Sequence, residues 1–257
     1  MFEVASRVRD YFRFSLREQK EIIISAIIFG FILSFRKWGV NTFDLFSGLS
    51  NWIIASILIL IVMLANLSVQ KIFALSVGAR MHYSWWFQGM LIGLFISFVS
   101  YGTIPFLFPG TTYFEHMEGL RLGQFRYKSG TKEMALASVA GVVTNVLLAL
   151  IFSFLYLATN SHWVLYFIGL NFLYGFYSML PVPRIAGTKM GEGATAGFHI
   201  FFFGRPLYIF IFSTLILYCI LLYVSITFFG GWLTLFLAAV LGLIAMFFFL
   251  KFAQDAF

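Results

Sequence analysis

Seven apolar segments, 22–35, 52–77, 86–108, 134–158, 163–180, 207–229 and 232–252, set the terms on which this chain folds. A helix needs about 20 apolar residues to cross the hydrocarbon layer of a bilayer, and most of these segments reach that length. Of the 257 residues, 61% are apolar or aromatic and 11% are charged. Such a chain has too little polar surface to cover itself in water. A soluble enzyme is excluded, and so is a disulfide scaffold, because the single cysteine, Cys219, lies inside an apolar run. No stretch between the segments is long enough for an independent soluble fold. The organisation expected is an amphipathic basic N-terminal segment, 1–20, followed by a single polytopic membrane domain, 21–257.

The net charge of +7 is explained by topology and calls for no nucleic acid. Arg7, Arg9, Arg13, Arg17 and Lys20 alternate with Phe2, Val4, Val8, Tyr11, Phe12, Phe14 and Leu16. Without a short apolar core or a small-residue cleavage site, this is not a secretory signal. It reads as a basic helix lying on anionic membrane lipids, or more plainly as a solvated basic tail. Lys and Arg in short loops gather on the cytoplasmic side. If all seven segments cross, six cations face ten. The third segment, however, is broken by Tyr101-Gly102-Thr103 and Pro105 and closed by Pro109-Gly110. If it dips in and returns, Arg80, Arg121, Arg126, Lys128, Lys132, Arg184, Lys189, Arg205 and Lys251 join the five tail cations on one side. Arg36 and Lys37 alone face them, with Lys71 inside a helix. The expectation is therefore an all-α integral membrane protein of the cell membrane. It has about six transmembrane helices, a re-entrant segment over 86–108 and both termini cytoplasmic. Alternation of polar and apolar residues between Gly110 and Lys132 predicts a short cytoplasmic β-hairpin. Gly230-Gly231 reads as a tight turn and 187–197 as a loose loop.

Three motifs recur in a recognisable order. Asn66-Leu67-Ser68-Val69-Gln70 lies in the second segment, Ala140-Gly141-Val142-Val143-Thr144-Asn145 in the fourth, and Ser178 to Gly187, with Pro181 and Pro183, closes the fifth. Together they resemble the site-2 protease family of intramembrane zinc metalloproteases, over a core of about 52–208. In that family the first motif is His-Glu-x-x-His, whose two histidines share a helix face and bind zinc while the Glu activates water. An Asp of the last motif is the third ligand, and the fourth position is left to water. The resemblance places those four roles at Asn66, Leu67, Gln70 and Ala186, none of which is the family's residue. Amides are poor zinc donors, and Leu67 has no basic atom. No catalytic residue and no metal ligand is expected to be intact, so no cofactor is expected, although active relatives carry zinc. His82, His116, His162 and His199 form no i, i+4 pair, and Glu115-His116-x-Glu118 reads as a solvated acidic loop.

What remains at membrane depth is a set of neutral polar groups: Asn66, Gln70, Asn145, Asn171 and Ser178. Asn145, Asn171, Ser178, Pro181 and Pro183 are the positions expected to contact a partner, a transmembrane helix of another protein. Their plainer reading is helix packing, with amides bonding one another and prolines ending a span. Three functions compete. One is an inactive pseudoprotease that binds or holds transmembrane segments. Another is an intramembrane zinc metalloprotease in natural atypical or engineered-inactive form. The third is a small transporter, against which stands the lack of an intramembrane carboxylate and of an inverted repeat.

Overall fold

The computed structural model describes residues 2–39, 43–117, 130–183, 193–225 and 230–255. After α1 (Phe2–Tyr11), the Ser15-x-x-Glu18 pattern stops one helix and starts another. Ser15 Oγ accepts the Glu18 N–H, and Glu18 Oε2 accepts the Ser15 N–H at 2.8 Å, a reciprocal cap that fixes the start of α2 (Leu16–Ser34). A 3-10 turn, Phe35–Trp38, leads to α3 (Leu45–Ser76), which opens on Asp44, whose carboxylate accepts the Ser47 N–H.

β1 (Ala79–Ser84), α4 (Phe87–Val99) and β2 (Thr111–His116) follow. The two strands pair antiparallel, Ala79 against His116 and Ser84 against Thr111. The intervening chain therefore leaves the sheet and returns to its starting level. Its helix of 13 residues is about 20 Å long, shorter than a bilayer core of about 30 Å. The turn at its far end uses left-handed backbone at Tyr101 and Gly102.

The rest is helical: α5 (Thr131–Thr159), α6 (His162–Met179), α7 (Ala196–Phe203), α8 (Arg205–Ser225) and α9 (Gly230–Asp255). Asn160 turns α5 into α6 with a left-handed φ of 47°. Four helices, Leu45–Ser76, Thr131–Thr159, Arg205–Val224 and Gly230–Ala253, are long and apolar enough to cross a membrane, as an integral membrane protein requires. Two apolar cores result. One joins α2, α3, β1, α4 and α6 around Phe29, Ile59, Met63, Leu67 and Tyr174; the other joins α5, α6, α8 and α9 around Val142, Phe172, Tyr218 and Ala238.

Two expectations change. The strand expected after Gly110 exists, and among the described residues it pairs with β1, before α4. The pairing is set by the return of the α4 excursion, which brings 84 and 111 together. The second half of the expected hairpin, 118–129, lies outside the described residues. The expected loose loop over 187–197 is tightly held where it is described. Ala194 bridges both Thr112 of β2 and Pro183, and Gly197 packs directly on the Met179 carbonyl at the end of α6.

Candidate functional site

α3, α5 and α6 bring most of the singled-out side chains into one buried centre. Asn66 and Gln70, one helical turn apart on α3, are 1% and 2% exposed. Gln70 Nε2 donates to Asn66 Oδ1 at 2.6 Å, and Asn66 Nδ2 donates to the Gly141 carbonyl of α5 at 2.8 Å. Glycine is required at 141, because a Cβ there would overlap the Gln70 carboxamide. Leu67 points elsewhere, into the apolar core around Met63 and Tyr174.

Asn145, one turn beyond Gly141, is also buried, and neither its Nδ2 nor its Oδ1 has a hydrogen-bond partner among the described residues. It faces Gly175 of α6, where a Cβ would stand 3.4 Å from Asn145 Nδ2. Asn171 and Ser178 flank Gly175 at one turn on either side, and both are buried. Asn171 Nδ2 donates to its own helix at the Phe167 carbonyl, and the Ser178 hydroxyl donates to the Gly175 carbonyl at 2.8 Å. Gln70 Oε1 and Asn171 Oδ1 are left unpaired among the described residues. The centre is thus neutral, rich in amides and under-satisfied. Among the described residues it contains neither a carboxylate nor an imidazole, and no group of three His, Cys, Asp or Glu there could hold a metal ion.

Pro181 and Pro183 stand apart from this centre, exposed beyond the end of α6. The Thr195 hydroxyl ties that stretch down, donating to the Leu180 carbonyl at 2.6 Å and accepting the Val182 N–H. Ala194 exchanges both backbone bonds with Thr112, filling the outer edge of β2 at that point. Ala186, the fourth position of the resemblance, lies outside the described residues.

The chain is similar to a "Putative zinc metalloprotease" of Methanocaldococcus jannaschii. The two are 27% identical over 184 residues, covering 70% of this chain and 85% of that protein. This distant similarity points to a protease-like family. No family model matches the chain, and no solved structure matches it.

Beside the amide centre lies a charged cluster that sequence reasoning missed. Lys71, next to Gln70, donates from Nζ to Glu18 Oε1 at 2.8 Å and to the Arg13 carbonyl at 3.0 Å, with the Phe14 ring beneath it. Both partners are almost fully buried. Glu18 also accepts the Tyr83 N–H, and Glu21 accepts the Trp85 N–H at 3.0 Å, so two carboxylates one turn apart on α2 cap the outer edge of β1. His82 lies between Glu18 and Glu115, and burial holds its imidazole below the usual histidine range against the pull of those carboxylates. Two signals were present in the sequence: the Ser15-x-x-Glu18 box, and a lysine in an apolar run, which needs a counter-charge.

His199 of α7 sits at the other side of the sheet. Its Nε2 lies 3.2 Å from the Thr112 carbonyl, to which the Nε2–H tautomer donates, and the Phe114 ring meets it edge-on. Burial depresses its pKa, and the bonds to the Thr112 and Ala194 backbone oppose this only in part. The folded state therefore prefers neutral His199, whereas the unfolded chain takes up a proton below about pH 6.5. Stability from this site is fully present above that pH and declines as pH falls through it. The detergent-solubilised chain should lose about 2 °C or more in Tm between about pH 7 and pH 5. His199→Gln should reduce the slope, leaving the part contributed by His82.

Proposed function

We propose that the chain is a membrane-embedded relative of the site-2 proteases that does not cut, and that it holds a transmembrane segment of a partner protein. The observation that carries this reading is the fate of the motif on α3. Asn66 and Gln70 bond each other and the Gly141 carbonyl, and the position of the catalytic base is filled by Leu67, packed in an apolar core. Such residues do not fit a zinc ion. Amide oxygens are weak donors to it, Asn66 Oδ1 is already taken by Gln70, and no general base stands beside them to take a proton from water.

The topology proposed has six spans, α2, α3, α5, α6, α8 and α9, over a protease-like core of about 52–208. The α4 excursion re-enters from the cytoplasmic side, where both termini lie in the cell membrane reading. Arg13, Arg17, Lys20, Arg80 and Lys132 fall near the start of α2, the end of α3 and the start of α5, whereas Arg36 and Lys37 follow the far end of α2, which supports this orientation. Residues 1–20 rest on the membrane surface ahead of the single membrane domain. A partner helix would meet Asn145, Asn171 and Ser178 within the bundle and Pro181 and Pro183 at its mouth. Strand addition at Thr112 or Tyr83 is disfavoured, since Ala194 and Glu18 occupy those edges.

The name of the archaeal relative favours a second reading, an intramembrane zinc metalloprotease in atypical form. Metal analysis of the purified chain separates the two. Less than stoichiometric zinc, and no cleavage of a membrane-embedded substrate, is expected for the natural sequence. The variant Asn66→His, Leu67→Glu, Gln70→His, Ala186→Asp should bind about one zinc per chain, the family's complement. One tightly held zinc in the unaltered chain would overturn the inactive reading.

A further inference from the structure

Between α1, the end of α3 and β1 lies a small open cleft of about 30 Å³ whose lining carries the cationic side chains of Arg13, Lys71 and Arg80. It is formed by Tyr11, Arg13, Lys71, Arg80 and His82 over an apolar floor of Leu75 and Met81. Among the described residues no carboxylate lines it. The Arg80 guanidinium carbon lies over the Tyr11 ring, 4.4 Å from its centre. A guanidinium carries five N–H donors in a planar fork that matches two oxygens of a phosphate.

Arg13 and Arg80 are both exposed, and neither has a carboxylate within ion-pair distance among the described residues. Lys71 spends two of its three donors on Glu18 and the Arg13 carbonyl, which also pins the Arg13 backbone beside the cleft. Of the acids near the cleft, Glu18 is held by Lys71, and Glu115, opposite Arg80 in the sheet register, is largely exposed with one oxygen 3.6 Å from His82.

We infer that this cleft binds a phosphate-bearing anion, presented by the headgroup of an acidic lipid or by free phosphate. The geometry supplies two guanidinium groups from distant parts of the sequence with no carboxylate partner among the described residues, one of them against an aromatic ring. They sit at the end of the bundle where α1 ends and α2 begins. The site rests on the membrane placement proposed above but not on the loss of catalysis, so zinc content and phosphate binding fail separately. It also changes what the N-terminal segment does. A general attraction to a charged surface becomes recognition at a defined place, shared between α1 and β1.

The test uses the full chain in a neutral detergent, titrated with phosphatidylglycerol or phosphatidylcholine and read by native mass spectrometry. Phosphatidylglycerol should be retained about tenfold more strongly. Arg13→Gln with Arg80→Gln should abolish the preference, whereas Arg36→Gln with Lys37→Gln should keep it. Both altered side chains in the cleft are exposed, and only the backbone carbonyl of Arg13 is used in the fold, so the variant retains its structure. The single Arg80→Gln variant provides a second measure, with a partial loss. Inorganic phosphate at constant ionic strength distinguishes the sources. Displacement of the lipid assigns the cleft to phosphate itself, and retention assigns it to the lipid headgroup. Equal retention of the two lipids by the natural chain, or a preference that survives in the cleft variants, overturns the inference.

Discussion

Glu18→Gln should lower the stability of the solubilised chain by about 3–5 kcal/mol, the cost of leaving a buried charge without its partner. The Lys71 ammonium, 4% exposed, would keep the Arg13 carbonyl, the Phe14 ring and a neutral amide oxygen, but no counter-charge. Lys71→Met should cost a similar amount, because the Glu18 carboxylate would then be buried with only the Tyr83 and Ser15 N–H groups. The double variant Glu18→Gln, Lys71→Met should recover most of the loss, since no uncompensated charge remains and methionine refills the volume. Denaturant titration of the four proteins in one detergent closes the cycle. Additive losses would mean that the two groups do not act as a pair.

Gly197→Ala should be comparably harmful, at about 3 kcal/mol. A Cβ at this position would lie inside the van der Waals radius of the Met179 carbonyl oxygen. The obstruction is backbone, so no side-chain rotation relieves it, and α7 must move away from the end of α6. That movement would break the Thr195 bonds to Leu180 and Val182 and the pairing of Ala194 with Thr112. Gly169→Ala is the matched control. Nothing lies within 4 Å of the added Cβ, and alanine in a helix interior gains up to about 1 kcal/mol over glycine. Limited proteolysis near 193–199 and thermal unfolding should separate the two variants clearly.

The helices were legible because long apolar runs with few charges leave the backbone little choice but to satisfy its hydrogen bonds internally. The break in the third segment was legible too, through Gly102 and Pro105, and the strands on its two sides pair with each other. Asn66 and Gln70 could be paired from their spacing alone, since i and i+4 share a helix face. Less could be read of the contacts made across long stretches of chain. The β1–β2 register depends on where the α4 excursion ends, and β1 carries no alternation strong enough to announce a strand. Lys71 advertised a need for a counter-charge but not its location, because Glu18 is brought to it by the packing of α2 on α3. Asn145 was singled out by its motif, whereas its lack of a partner among the described residues, opposite Gly175, is encoded by no local pattern.

In the membrane placement proposed above, the ion pair between Lys71 and Glu18 would also act as a depth stop. α3 has 32 residues and is about 48 Å long, well beyond a hydrocarbon layer of about 30 Å, so length alone would let it slide along the bilayer normal. A charged pair near its carboxyl end would resist entry into lipid and hold that end at the boundary. Asn66, bonded to Gln70 and Gly141, lies about 8 Å further along the helix. The vertical position of the amide centre would then be governed by a contact made outside it, and loosening that contact would change which level of a neighbouring helix the centre meets.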